Sequence, residues 1–409
     1  MRKLFFNIRK IWGTENLPAT RLVGAEMANV GSIEDAWLLV VDGLIAAYGN
    51  GEMPDEDEKI DLAGHELLPG FVDSHTHAVF ASERDAEFIM RIKGAGYEEI
   101  AAAGGGILNS ARRLRAMDFD SLYAKAEENV RKIISHGTTT IEIKSGYGLD
   151  LDSELKMLRV IQKLKENLPV TIKSTFLAAH AVPPEFKDNR EGYVNHIVEV
   201  MLPIVAAEGL ADHMDVFCDR GFFTTIDTEK LLTAASKFGL PGKIHANELG
   251  LTGGVQVATK MNAWSADHLE HCESDEINAL LHSATMPVGL PGTSYFLGIP
   301  YTPVRKMIDA GLPVCLASDF NPGSSPLANM QMVWSLGCSQ MKLLPEEAFN
   351  AITINASRAL HLEQQCGSIC VSKRADFWTT TLHNAMHTVP YYFGQNHASS
   401  VWVRGEKWE

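Results

Sequence analysis

The run Asp73-Ser74-His75-Thr76-His77 closes an apolar stretch, Leu67–Val72. In an extended segment, residues i and i+2 project to the same side, so His75 and His77 offer two imidazoles to one point. Four further apolar stretches end the same way: Ala178-Ala179-His180, Ile244-His245-Ala246-Asn247-Glu248, Ala266-Asp267-His268 and Ala317-Ser318-Asp319. A histidine or aspartate closing a buried strand costs desolvation energy unless it is paired or ligating. One such residue is ordinarily a satisfied core group; five on one rim point to a site. A set of His75, His77, His245 and Asp319 suits a borderline divalent ion, Zn²⁺ or iron, with one position left open for water.

Such a set needs a scaffold that brings distant strand ends together. From Leu67 onward, short β-branched runs alternate with longer amphipathic segments, the pattern of βαβ units around a parallel sheet. The predicted strands are Leu67–His75, Thr138–Lys144, Val170–Ala178, His213–Cys218, Gly242–His245, Ala263–His268, Thr285–Leu290 and Val314–Ser318. Helical patterns between them include Asp120–Ser135, Ser153–Lys165, Gly192–Ala207 and Asp227–Phe238. Eight strands, each followed by helix-like sequence, fit an α/β fold of the (β/α)₈ TIM type, which keeps its active site at the C-terminal strand ends.

Residues 1–66 read as β, broken by turns such as Asp42-Gly43 and Asn50-Gly51, and residues 366–409 return to β character at Phe377–Leu382 and Ser399–Arg404. Neither end is long enough to bury a core alone, so the two are expected to combine into one small β-sandwich domain beside a barrel spanning 67–365.

The 409 residues carry 36 Lys plus Arg against 51 Asp plus Glu, a formal charge of −15 without a basic block, which argues against nucleic acid or an anionic membrane as partner. No stretch approaches the roughly 20 apolar residues of a membrane span, and no signal-peptide core follows Met1. Six cysteines without a C-x-x-C pair read as buried, reduced thiols of a cytoplasmic protein.

The run Leu68-Pro69-Gly70-Phe71-Val72-Asp73-Ser74-His75-Thr76-His77, the mid-chain His245 and the late Ser318-Asp319 resemble the amidohydrolase superfamily of metal-dependent barrel hydrolases. Within it, Ile143–Gly148, Phe176–Pro183, His245–Glu248 and Ser318–Ser324 are similar to the branch that opens a cyclic amide in histidine degradation. The resemblance implies metal ligands His75, His77, His245 and Asp319, with Glu248 acting on water and His268 polarising or shuttling protons. It assigns Arg84 to a substrate carboxylate, and Tyr147, His180, Glu248, Asn321, Gly323 and Ser324 to substrate binding at the ring and its polar atoms. Either Glu248 or Asp319 could return the proton to the leaving nitrogen, and the sequence does not choose between them. The implied substrate is 4-imidazolone-5-propanoate, the product N-formimidoyl-L-glutamate, and the implied assembly a homodimer.

Bland readings stand beside these. Arg84 could pair with Glu83 or Asp85 on a surface turn, and Tyr147, between two glycines, could be a packing lid. Lys144 ends the second barrel strand, where its position differs from the carboxylated metal-bridging lysine of some relatives, so it is left out of the ligand set. Ala101–Ile107, rich in glycine, is expected to be a loop closing over the barrel mouth. Two rival functions remain: an aminohydrolase deaminating a purine or pyrimidine, which needs neither Arg84 nor Tyr147, and a metal-free scaffold, which has no reason to keep four costly polar groups at one rim.

Overall fold

The computed structural model describes residues 1–96, 99 and 104–408. The chain begins with β1 (Arg2–Trp12), β2 (Ser32–Val41), β3 (Leu44–Asn50) and β4 (Glu58–Asp61). Asp42 and Gly43, both at positive φ, form the two-residue hairpin between β2 and β3. β5 (Glu66–Pro69) pairs with β1, and the C-terminal β14 (Phe377–Thr380), β15 (Ser400–Val403) and β16 (Glu406–Lys407) extend the sheet from β5. Both ends of the chain thus share one mixed sheet, in which Phe5 packs edge-on against Phe377 and Trp402 at centroid distances of 5.1 and 4.9 Å.

The strand expected over Leu67–His75 is divided. Its first part, β5, belongs to the terminal sheet, and its second, β6 (Phe71–Asp73), opens the barrel. Gly70 is the pivot: a Cβ there would collide with the Thr139 side chain, so the chain crosses at this point only without one. The remaining barrel strands are β7 (Thr138–Lys144), β8 (Thr171–Ala179), β9 (His213–Cys218), β10 (Gly242–Ala246), β11 (Ser265–His268), β12 (Met286–Gly289) and β13 (Cys315–Leu316), all parallel and in sequence order. Closure between β6 and β13 occurs just beyond the strand ends. There Asp319 N donates to His75 O at 3.0 Å, and His77 N donates to Phe320 O at 2.8 Å. The segments carrying three expected ligands are therefore the seam of the barrel.

Residues in these strands alternate with period two although nearly all are buried. Ile141, Ile143, Met214, Val216 and Ile244 join the apolar core, whereas Glu142, Lys144, Asp215, Lys243, His245 and Asp267 pair with one another. Barrel interiors are ordinarily filled by branched apolar side chains; this one is ionic below its rim. The expected helices appear with shifted ends, for example Phe119–Ser135, capped by Asp118 accepting from Ser121 N, and Leu151–Asn167, capped by Asp150 accepting from Ser153 N. The helix Asp85–Ile92, which no sequence pattern marks, carries the buried Glu87 against Arg84 in the cavity wall.

A buried carboxyl beside the terminal sheet gives a stability test away from the site. Burial raises Asp376 to about 6, with Oδ1 accepting from Arg404 N at 2.8 Å and Oδ2 unpartnered. Because the folded carboxyl holds its proton to higher pH than the unfolded one, its contribution is complete below the unfolded value of 3.8 and is lost as pH rises through about 6. That displacement corresponds to about 3 kcal/mol. Asp376→Asn is expected to melt close to the parent at pH 4 and above it at pH 7.5, read by thermal unfolding at both pH values.

Candidate active site

A cavity of about 610 Å³ opens at the C-terminal rim, lined by His77, His245, Glu248, His268 and Asp319 among others. His75 lies beneath it, fully buried. Nitrogens of His75, His77 and His245 lie within 4.8 Å of one another, the geometry of a histidine triad able to hold a metal ion. Asp319 Oδ1 is 3.5 Å from both His75 Nε2 and His77 Nε2, so a carboxylate stands beside two members of the triad. Asp319 Oδ2 accepts from Thr293 Oγ1 at 2.6 Å, which fixes the carboxylate plane.

The residues fit a cation by their unused atoms. His75 Nε2 and His245 Nε2 are buried and have no hydrogen-bond partner, a costly state that ligation relieves. On the far side of the rings stand carboxylates: Asp267 Oδ2 lies 2.6 Å from His75 Nδ1, and Asp215 Oδ2 lies 3.0 Å from His245 Nδ1. At His75 the ring donates to the carboxylate, which keeps the proton on Nδ1 and leaves the Nε2 lone pair facing the centre, whereas His245 Nδ1 stands near Asp215 without a hydrogen bond. Burial pushes His75 and His77 well below the usual imidazole range, as lone-pair donors require.

Glu248 and His268 face each other across the cavity floor, with 3.7 Å between Glu248 Oε2 and His268 Nε2, while Glu270 Oε1 stands 3.5 Å from His268 Nδ1. Burial lifts Glu248 to about 7. At His268, burial is outweighed by Glu248 and Glu270, which hold the imidazole well above its ordinary range. His268 and Asp319 sit at positive φ, 82° and 50°, in the left-handed region that side-chain-bearing residues rarely adopt. Such conformations persist where surrounding structure enforces them, commonly at functional sites.

The other expected residues are also here. Arg84 stands in the cavity wall, not on a surface turn, and its Nε and Nη2 donate to Glu87 Oε2 at 2.9 and 2.6 Å. Its Nη1 edge lies against Gly323, where a Cβ would collide with it. Glu87 also accepts from Gly106 N at 3.0 Å, which ties the cavity wall to the end of the glycine-rich segment. Of the loop expected at Ala101–Ile107, residues 101–103 lie outside the described residues. Tyr147 is buried in the wall, and burial raises its phenol, keeping it a neutral donor. His180 stacks on His77 at 5.1 Å and 18°, and burial pushes it down to about 3. Asn321 spends its side chain on its own loop: Nδ2 donates to Asp319 O at 2.7 Å, and Oδ1 accepts from Gly323 N and Ser324 N at 2.8 Å. It shapes the turn that presents Gly323 and Ser324 to the cavity.

Gly146, at φ +104°, permits the close packing of Tyr147 and His180: a Cβ would lie 2.8 Å from Leu177 O and 2.9 Å from His180 Nδ1. Gly146→Ala is expected to move His180 and raise KM at least severalfold with metal content unchanged, as read by steady-state kinetics beside metal analysis.

Asp215, Lys243 and Glu142 lie inside strands, away from the conspicuous strand ends, and neither they nor Asp267 and Lys144 are marked as site residues by the sequence. Lys144, left out of the expected ligand set, has its Nζ 2.8 Å from Glu142 Oε1 and from Asp215 Oδ2. The available signal was the period-two recurrence of charge inside buried strands, Glu142/Lys144, His213/Asp215 and Lys243/His245.

An eight-stranded parallel barrel with a histidine triad and a carboxylate on its C-terminal rim defines the class as a barrel with a metal-binding active site. The family model described as "Amidohydrolase family" matches residues 67–407. An imidazolonepropionase of Flavobacterium johnsoniae is 46% identical over 409 residues, covering 99% of this chain and 100% of the relative. One of Christiangramia forsetii is 45% identical over 409 residues, with the same coverage. Among solved structures, guanine deaminase from C. acetobutylicum superposes with a TM-score of 0.73 at 17% identity, covering 100% of each chain, a likeness of fold. The chain belongs to the amidohydrolase family.

Proposed function

We propose that the protein is an imidazolonepropionase, hydrolysing the cyclic amide of 4-imidazolone-5-propanoate to N-formimidoyl-L-glutamate with one Zn²⁺ or iron ion per chain. The observation that carries this reading is the full-length identity of 46% with a relative of that name. His75, His77, His245 and Asp319 would hold the ion, given the unpartnered ring nitrogens that face one another. When bound, the ion supplies Lewis acidity that makes water a usable nucleophile at neutral pH.

The chain's own residues carry the remaining steps. The Arg84 guanidinium, oriented by Glu87, presents its free edge to the propionate carboxylate, and Tyr147 donates beside it. Glu248, raised to about 7, takes a proton from the attacking water, the task for which a carboxyl near the working pH is best matched. His268, held cationic between Glu248 and Glu270, donates to the carbonyl oxygen as negative charge develops there. When the tetrahedral carbon collapses, the ring nitrogen leaves with the proton that Glu248 has carried. No atom but water is added, and no ammonia forms.

The cytoplasm suits the six free cysteines, five of them buried. Among the described residues no helix is long and apolar enough to cross a membrane. The assembly is a homodimer, as sedimentation of the purified protein will read. The reaction is tested by incubating metal-loaded protein with 4-imidazolone-5-propanoate. Loss of the imidazolone ultraviolet band with formimidoylglutamate as product is expected. Ammonia release, or no turnover by protein carrying one ion per chain, contradicts the assignment.

A further inference from the structure

Below the candidate metal centre lies a layer of five charges: Glu142, Lys144, Asp215, Lys243 and Asp267, each with a fully buried side chain. Two of them, Asp215 and Asp267, face the Nδ1 atoms of His245 and His75. Lys144 is the member that both share. Its Nζ lies 2.8 Å from Asp215 Oδ2 and 3.8 Å from Asp267 Oδ2, in each case the oxygen that also faces the histidine. Glu142 anchors the ammonium from below at 2.8 Å and is itself held by Lys243 at 2.6 Å. Lys243 also donates to Ser74 O at 2.8 Å, the carbonyl next to His75.

We propose that Lys144 is a positioning residue for the metal centre, clamping Asp215 and Asp267 so that His245 and His75 present their Nε2 atoms to one cation. The inference rests on the ligand set read above, not on the substrate. His245 shows why a clamp is needed: its Nδ1 stands 3.0 Å from Asp215 yet lies off a hydrogen-bonding line, so the ring's orientation depends on where that carboxylate is held. Removing the ammonium leaves Asp215 Oδ2 without its lysine while Oδ1 still accepts from Val216 N and His245 N, and leaves Asp267 with Lys243 at 3.8 Å, so the larger effect falls on His245. Loss of such outer partners typically lowers metal affinity about 10- to 100-fold.

Charge alone predicts the opposite sign. A cation buried under a divalent ion repels it, so if Lys144 acts only through its field, deleting it tightens binding. Zn²⁺ affinity of metal-free protein, measured by competition with a chromogenic chelator, separates the two. Lys144→Met is expected to bind Zn²⁺ at least tenfold more weakly than the parent; equal or tighter binding overturns the proposal. Thermal unfolding of the metal-free variant reports whether the barrel persists. Lys144→Arg keeps the charge while changing reach and shape, and it decides the matter if the methionine variant does not fold. Binding weakened at least fivefold supports the clamp, and affinity within twofold of the parent refutes it. A parent protein that binds no Zn²⁺ at all would instead sink the ligand set, a failure distinct from either result.

Discussion

Replacing His245 with alanine is expected to reduce bound metal to well below one ion per chain and to lower turnover at least about 10³-fold, the equivalent of about 4 kcal/mol of transition-state stabilisation. His245 is the member of the triad supplied from the middle of the chain, on β10; His75 and His77 both come from the segment after β6. Without it, two imidazoles and Asp319 remain on one side of the centre, at the seam of the barrel. The fold should survive, because the carboxylate that loses its imidazole, Asp215, keeps Lys144 at 2.8 Å. Metal analysis, turnover and thermal unfolding of the metal-free protein, taken together, check the prediction. A variant that keeps a full complement of metal contradicts the ligand set, whatever its activity.

Glu248→Gln is expected to behave in the opposite way, keeping the metal and losing the rate. The side chain is closely isosteric, and Glu248 lies at 3.7 Å from His268, not among the three clustered histidines. Removing a general base typically costs about 10²- to 10⁴-fold, so kcat should fall in that range while KM changes less than about threefold. In the parent enzyme, Glu248 must be ionised to accept the proton. With its carboxyl raised to about 7 by burial, kcat/KM should decline as pH falls through that value. The variant, unable to titrate there, should show a flattened acid limb. A pH profile unchanged by the substitution would assign the base elsewhere.

Much of the barrel and its rim was legible because the informative residues sit at strand ends. There a polar side chain after an apolar run is conspicuous, and the two positions of His75-Thr76-His77 share a face by geometry alone. The terminal sheet was legible for another reason: neither end carries enough apolar surface to close a core, yet both carry strands. The division at Gly70 was hidden because an apolar run through both sheets looks like one strand until Thr139 is seen occupying the space of a Cβ. Glu87 was missed because the helix Asp85–Ile92 is short and leaves Phe88, Ile89 and Ile92 exposed, so no clear apolar stripe marks its buried face. The charged layer was the largest omission. Buried parallel strands are normally apolar throughout, and Lys243 or Asp215 taken singly resembles a surface residue. Only the closed barrel turns five such residues from four strands toward one another, two lysines among three carboxylates.

The most direct test of the account is an anomalous diffraction map from crystals of the protein grown with Zn²⁺. A single strong peak within bonding distance of His75, His77, His245 and Asp319 is the predicted result, with Glu248 and His268 facing it and making no bond to it. A peak that avoids His245 or Asp319, or a second peak held by Lys144 between two sites, would contradict the mononuclear centre on which the proposed chemistry depends.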